Sequence, residues 1–240
     1  MKKNLIKIFI IGFLSLASFS FALAQEEKYF IYLTWKAETF SEIDYQGKNL
    51  PVTDSKVYVS SQIFDKNGRK VDPNQFIFYW EVNFDDKFFD YLEADFFKPM
   101  PGRNKICFRA SKIDFSPYRI NLAIQKQNYF QRKSLEIPYL NPEIVIVPQG
   151  KMVSLKKLSL KPTMNFSLKK YFFSNLDYLD VTWYLDEKRT KGKVENPFSL
   201  TLEFYPDLSK GKKFHLYAEC INKKNRLQRA RTGPIEIIKE

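Results

Sequence analysis

Phe76–Asn83 (FIFYWEVN) and Leu179–Asp186 (LDVTWYLD) are the two stretches on which the reading of this chain turns. Side chains alternate between the two faces of a strand. Phe76, Phe78, Trp80 and Val82 then share one face of the first run, opposite Ile77, Tyr79, Glu81 and Asn83. In the second run Leu179, Val181, Trp183 and Leu185 oppose Asp180, Thr182, Tyr184 and Asp186. Apolar-in, polar-out alternation belongs to an antiparallel sheet with one wet face. Each run is therefore expected to be the central strand of its own β-sandwich, with Trp80 and Trp183 as core anchors. Burying a tryptophan hides about 150–250 Å², an upper bound of about 4–6 kcal/mol at the usual area coefficient.

Outward from these runs, the first 24 residues read as an export signal. Lys2, Lys3 and Lys7 form a basic start, Ile8–Phe21 an apolar stretch, and Ala22-Leu23-Ala24 a small-residue cleavage site, so the mature chain is expected to begin at Gln25. No cysteine follows that site, which argues against lipid anchoring, and no later run has the length of a membrane span. The remainder fits two domains of sandwich size, residues 25–140 and 141–240. Aromatic residues make up 17% of the chain and glycines number only 8, a composition that favours packed cores over a low-complexity chain.

The expected fold class is all-β: two tandem immunoglobulin-like antiparallel β-sandwiches after a cleaved signal peptide. In the first, strands are expected at Lys28–Glu38, with Trp35 inward, at Lys56–Phe64, around Trp80, and at Asn104–Ser111, Tyr118–Lys126 and Phe130–Pro138. Ser41–Thr53 reads as an irregular crossing, and Asp65-Lys66-Asn67-Gly68 as a turn. Tyr139-Leu140-Asn141-Pro142 reads as a stiff junction. Beyond it, strands are expected at Pro142–Pro148, Met152–Leu160, Met164–Phe173, around Trp183, and at Asn196–Phe204, Lys213–Asn222 and Leu227–Ile238. Lys223-Lys224-Asn225-Arg226 supplies the hairpin turn before the last strand. Cys107 and Cys220 fall in different domains, so they are expected to be buried free thiols rather than a disulfide.

Catalytic patterns are nearly absent from the sequence, carboxylate pairs of the kind any chain holds aside. The single histidine, His215, alternates with inward residues and is expected at the surface. One histidine and two separated cysteines supply no zinc tetrad. There is no G-x-S-x-G elbow, phosphate loop or dinucleotide fingerprint. No enzymatic activity, cofactor or metal is expected. The acids Asp85, Asp86, Asp90, Glu93 and Asp95 match no EF-hand spacing and read as surface charge. The neighbouring Phe88, Phe89, Tyr91, Phe96 and Phe97 read as an edge strand lying on the core, with an exposed stacking patch as the alternative.

Charge is uneven along the chain. Residues 25–140 hold 17 Lys and Arg against 16 Asp and Glu, net +1, whereas residues 141–240 hold 19 against 11, net +8. The excess gathers late in the sequence, at Lys210, Lys212, Lys213, Lys223, Lys224, Arg226, Arg229 and Arg231. Such residues can guard a sheet edge, and an A+T-rich genome enriches lysine regardless of function. They can also attract an anionic surface. The expectation is an extracytoplasmic, non-enzymatic binding protein at the cell surface, with a cell-envelope polymer or a surface protein as partner and no specific nucleic-acid site. The alternatives are a structural spacer in a surface assembly and a glycan-binding module.

The runs TWKAETF (Thr34–Phe40), YQGKNLP (Tyr45–Pro51), FDKNGRKVD (Phe64–Asp72), FYWEVN (Phe78–Asn83), PEIVIVP (Pro142–Pro148) and ENPFSLTLEF (Glu195–Phe204) resemble secreted proteins of small-genome candidate-phylum bacteria. The resemblance implies tandem immunoglobulin-like or PKD-like domains and no assigned activity. A PKD repeat continues Phe-Gly-Asp-Gly after its Tyr-Trp pair. Here the chain reads Val82-Asn83-Phe84-Asp85, so the general immunoglobulin-like label fits better.

Overall fold

The computed structural model describes residues 29–83, 99–111, 116–191 and 196–240. The leader with its Gln25 start, the acids Asp85–Asp95 and the aromatics Phe88–Phe97 lie outside the described residues. Strands of the first half are β1 (Tyr29–Ala37), β2 (Phe40–Ser41), β3 (Lys56–Asp65), β4 (Ile77–Val82), β5 (Met100–Pro101), β6 (Lys105–Arg109), β7 (Tyr118–Lys126) and β8 (Tyr129–Ile137). Those of the second half are β9 (Glu143–Pro148), β10 (Lys157–Ser159), β11 (Thr163–Phe173), β12 (Leu179–Leu185), β13 (Lys188–Thr190), β14 (Ser199–Glu203), β15 (Lys213–Asn222), β16 (Arg229–Arg231) and β17 (Ile235–Ile238).

The sheets have the order β1-β3-β6 and β5-β4-β7-β8 in the first half. With β1, β3 and β6 as strands A, B and E, and β4, β7 and β8 as C, F and G, this is the immunoglobulin division into two sheets. The second half repeats it. There β9 and β14 pair with β11, and the facing sheet runs β10-β17-β15-β12-β13 with β16 on β15. The all-β immunoglobulin-like architecture is thus present twice, with a tryptophan on strand C each time. One departure from antiparallel pairing is β10, which runs parallel to β17.

By contact density the described residues divide into two compact units. The smaller comprises residues 29–32 and 62–72. Within it the Tyr32 and Phe64 rings meet edge to face at 5.5 Å. The Asp65 carboxylate accepts from the backbone N–H groups of Asn67 and Arg69, and Gly68 supplies the positive φ of 74° that closes the turn. The larger unit comprises residues 33–61 and 73 onward.

Phe76, Phe78, Trp80 and Val82 are all buried, as the alternation requires. They share a core with Val57, Val59, Ile106 and Phe108 of the facing sheet, and the Phe108 and Tyr118 rings meet across it at 5.1 Å. The Tyr118 hydroxyl, at the start of strand F, accepts from the Ser111 N–H at 2.7 Å. That is the tyrosine corner of immunoglobulin sandwiches. The second core joins Ile146, Phe166, Leu168 and Leu200 from one sheet to Trp183, Leu216, Ala218 and Ile237 from the other.

Several sequence expectations are corrected. Cys107 is only half-buried, because Ile106 and Phe108 take the inward positions of β6 and leave it paired with Tyr58 on the other face. Cys220 is buried as expected, and neither cysteine is in a disulfide. Trp35 is half-buried, with the Lys48 ammonium 4.6 Å from its ring. The strand expected over Met152–Leu160 shrinks to Lys157–Ser159, leaving Met152 and Val153 exposed while the chain crosses from one sheet to the other. Leu227–Ile238 is broken between β16 and β17. The pairing with β15 shifts by one residue there, and Pro234 has no N–H to give the ladder. Strand β13 was not foreseen. Its turn, Asp186-Glu187, takes positive φ at both positions (48° and 65°) without the glycine or asparagine that signals such a hairpin.

Trp80→Ala and Trp183→Ala should each cost about 3–5 kcal/mol. Because the second core draws only on residues beyond 143, limited proteolysis of either variant should leave one resistant fragment of about half the mature chain. Simultaneous loss of both halves would show a single cooperative unit. Burial pushes the Cys220 thiol from 9.0 up to about 12. Its neutral form is favoured by folding, so that contribution is complete below 9.0 and is lost as pH rises towards 12. Iodoacetamide at about pH 8.5 should label Cys107 well before Cys220 in the native protein, which peptide mapping will read.

Candidate anionic-surface site

The hairpin between β15 and β16 is built by its own polar side chains. The Asn222 carboxamide oxygen accepts from the N–H groups of Lys224 (3.0 Å) and Asn225 (3.3 Å), and that of Asn225 accepts from Leu227 N–H (3.1 Å). Such Asx turns need no glycine. Asn222 N–H donates to the Gln228 carbonyl, closing the loop. Lys223, Lys224 and Arg226 are exposed on this turn.

Beneath the hairpin lies Gln228, fully buried. Its carboxamide oxygen accepts from Asn222 Nδ2 at 3.1 Å and from the Ser174 N–H at 3.2 Å. Its Nε2 donates to Ser174 Oγ and to the Thr53 carbonyl. Thr53 belongs to the Ser41–Thr53 crossing, so a residue of the second half is fastened to one of the first. Other contacts accompany it. Strand β2 pairs with the end of β11, Lys170 Nζ is 3.2 Å from Glu42 Oε1, Lys169 pairs with Asp44, and the Tyr45 ring meets Phe172 at 5.3 Å. Nothing in the local pattern distinguishes Gln228 from a surface glutamine, so sequence reasoning missed it.

The eight basic residues do not form one patch. Lys210, Lys212 and Lys213 lie at the start of β15, and Lys223, Lys224 and Arg226 beyond its end. A ten-residue strand separates them by about 30 Å. At the first end, Lys213 Nζ is 3.2 Å from Glu236 Oε2. Lys157 Nζ is 3.4 Å from the other Glu236 oxygen. The Lys213 hydrogen bond, aided by Lys157, holds the Glu236 carboxyl below its ordinary value.

Lys210 and Lys212 have no carboxylate within ion-pair reach among the described residues, and the hairpin end is likewise only partly neutralised. Lys223 lies 3.6 Å from Asp180, and the Lys224 ammonium 3.6 Å from the Tyr178 ring centre. Arg231 lies 3.5 Å from Glu219 and 4.2 Å from the Tyr217 ring centre. Arg226 and Arg229 are exposed and, among the described residues, have no carboxylate within ion-pair reach. Register places Arg229 beside Ile221 and Arg231 beside Glu219, on the outer face of the sheet. On the same face the Tyr217 and Tyr184 rings stack at 4.7 Å. Next to them a pocket of about 430 Å³ is lined by Asp186, His215, Tyr217 and Arg231. His215 is exposed as expected, its Nδ1 3.6 Å from Asp186 Oδ1. Among the described residues no group of three or more His, Cys, Asp or Glu is placed to hold a metal ion, and no helix is long and apolar enough to cross a membrane.

No protein-family model matches the sequence, and no curated protein matches it. Among solved structures, similarity is found to fibronectin(III)-like modules of Clostridium thermocellum CbhA, at 9% identity and a TM-score of 0.27, covering 87% of this chain and 94% of that one. It is also found to the FN1–FN3 domains of chicken CNTN1, at 8% identity and a TM-score of 0.33, covering 80% and 66%. Extracellular domains 3–5 of Drosophila OTK give 11% identity and a TM-score of 0.30, covering 81% and 59%.

Gln228→Ala should destabilise the protein beyond a simple side-chain truncation, because it strands the buried Asn222 amide. An unsatisfied buried polar group costs about 1–3 kcal/mol. Urea denaturation will measure it, and a change under about 0.5 kcal/mol, the usual scale of a surface substitution, would show that the network carries no weight.

Proposed function

We propose that this is an exported, non-enzymatic binding protein of the cell envelope, whose second sandwich contacts anionic surface polymer through the hairpin Lys223–Arg226 and the adjoining Arg229 and Arg231. The observation that carries this reading is the gathering of five cations at one end of β15, where the register brings Arg229 and Arg231 back beside the braced hairpin and, among the described residues, Arg226 and Arg229 have no carboxylate partner. Exposed cations left uncompensated are free to exchange their counterions for a polyanion. Lys210, Lys212 and Lys213 are a secondary contact in this reading, since they stand a strand's length from the other five cations and Glu236 answers Lys213 among them. In this reading residues 1–24 direct export, 25–140 and 141–240 are two modules, and the mature chain stays at or near the cell surface. The PKD-like relationship to secreted candidate-phylum proteins belongs to the same proposal.

Residues 25–240 should be retained on immobilised dextran sulfate and released by salt, because the Debye length falls from about 10 Å at 0.1 M to about 3 Å at 1 M. Reversing Lys223, Lys224 and Arg226 to Glu should abolish retention, whereas reversing Lys210, Lys212 and Lys213 should weaken it only partly. Asn222, Asn225 and Gln228 are untouched, so the fold should persist, with a stability change of about 0.5 kcal/mol or less. Equal loss in both variants, or retention indifferent to salt, would return these residues to edge protection and compositional bias.

A further inference from the structure

The outer face of the β5-β4-β7-β8 sheet carries a hollow of about 640 Å³. The anionic-surface proposal makes no use of it. Its floor follows from register. Tyr79, Ala123 and Arg132 lie side by side across β4, β7 and β8, flanked by the rows Ile77–Gln125–Phe130 and Glu81–Asn121–Ser134. Cross-strand partners share a face, so Ala123 leaves a gap between two large neighbours.

The walls are ordered. The Tyr79 hydroxyl donates to Gln125 Oε1 at 2.9 Å. Gln125 lies two residues along β7 from Tyr79's own partner. The phenol is thereby drawn across the sheet and lines the hollow. Phe130 is 46% exposed, and the Arg132 guanidinium lies 5.3 Å from its centre. Along the other side, Asn121 Nδ2 donates to Glu81 Oε2 at 2.9 Å and Ser134 Oγ donates to Asn121 Oδ1 at 2.8 Å. This row fixes three side chains, and among the described residues the second Asn121 N–H, the other Glu81 oxygen and, in the neighbouring row, the Gln125 NH₂ have no partner and can meet a ligand.

These features select a chemistry. Glu81 and Arg132 balance, and Lys133, which also lines the hollow, leaves a single net positive charge, so the hollow does not call for a strongly charged ligand. Aromatic faces beside paired donors and acceptors suit a molecule with apolar C–H faces and hydroxyl edges. A peptide strand adding to edge strand β8 fits less well. Lys133, opposite Leu122 on the core-facing side, is nevertheless exposed, and a charge so placed guards an edge against pairing. We propose that this sheet face binds a neutral oligosaccharide, one sugar ring seated over Ala123 against Tyr79 and Phe130, with its hydroxyls meeting the Glu81–Asn121–Ser134 row.

The test is calorimetric titration of residues 25–240 with cellotetraose and with chitotetraose, at about 0.5 M NaCl to screen surface charge. Saturable binding of at least one is expected. Tyr79→Ala should weaken it about tenfold, and Ala123→Leu, which fills the floor, by at least as much, since an aromatic contact of this kind is worth about a factor of ten. Tryptophan fluorescence will confirm folding. Ala123 faces outward, so its variant decides the matter if Tyr79→Ala does not fold. The Lys223, Lys224 and Arg226 reversal should leave saccharide binding unchanged, which separates this site from the anionic one. No saturable binding to either sugar, binding insensitive to both face variants, or displacement by dextran sulfate would overturn the assignment.

Discussion

An indole N–H inside a sandwich must find an acceptor, and here the same solution occurs twice. Trp80 Nε1 donates to the Arg103 carbonyl and Trp183 Nε1 to the Pro197 carbonyl, each at 2.9 Å. Both acceptors lie in the loop that leads into strand E, on the facing sheet. Each tryptophan therefore fills the centre of a core and also ties the two sheets together by a directional bond. A buried unpaired donor costs about 1–3 kcal/mol, so the loop conformation and the indole position fix one another. Strand C cannot slip by two residues without losing both the packing and the bond.

The surfaces built on these cores are different in character. In the second sandwich the outer sheet face is charged and stacked, from Arg229 and Arg231 to Tyr217 and Tyr184. In the first it is an amide and hydroxyl row beside aromatic rings, close to electrically neutral. The division follows the net charges of +1 and +8 in the two halves of the sequence. If both proposed contacts form, two weak contacts joined by one chain bind more tightly than either alone.

For that arrangement the spacing between the halves has to be held, and the chain holds it with polar groups. Gln228 reaches the Thr53 carbonyl, and Thr53 Oγ1 meets the hydroxyl of the buried Tyr139 at 2.5 Å. Short strand β2 and the Lys169–Asp44 and Lys170–Glu42 pairs add to the same seam. Exposed ion pairs contribute about 0–1 kcal/mol each, whereas the buried carboxamide has no water to fall back on. Its weight in fixing the geometry is correspondingly greater.

The sequence by itself determined the strands that obey period two over long runs, the inward set of each, and the Asp65–Gly68 turn. These depend only on residue type at local spacing. It also located the excess charge along the chain, although not in space. Tertiary structure decided the rest. Only pairing with β15 brings Arg229 and Arg231 back beside Ile221 and Glu219, next to the hairpin cations. Only the cross-strand register brings Tyr79, Ala123 and Arg132 side by side from three strands. Gln228 looks like a surface residue in the sequence because a carboxamide is buried only where partners converge on it. Those partners, Thr53, Ser174 and Asn222, come from three distant segments. Contacts of that kind are set by chain topology, which periodicity along a single strand does not carry.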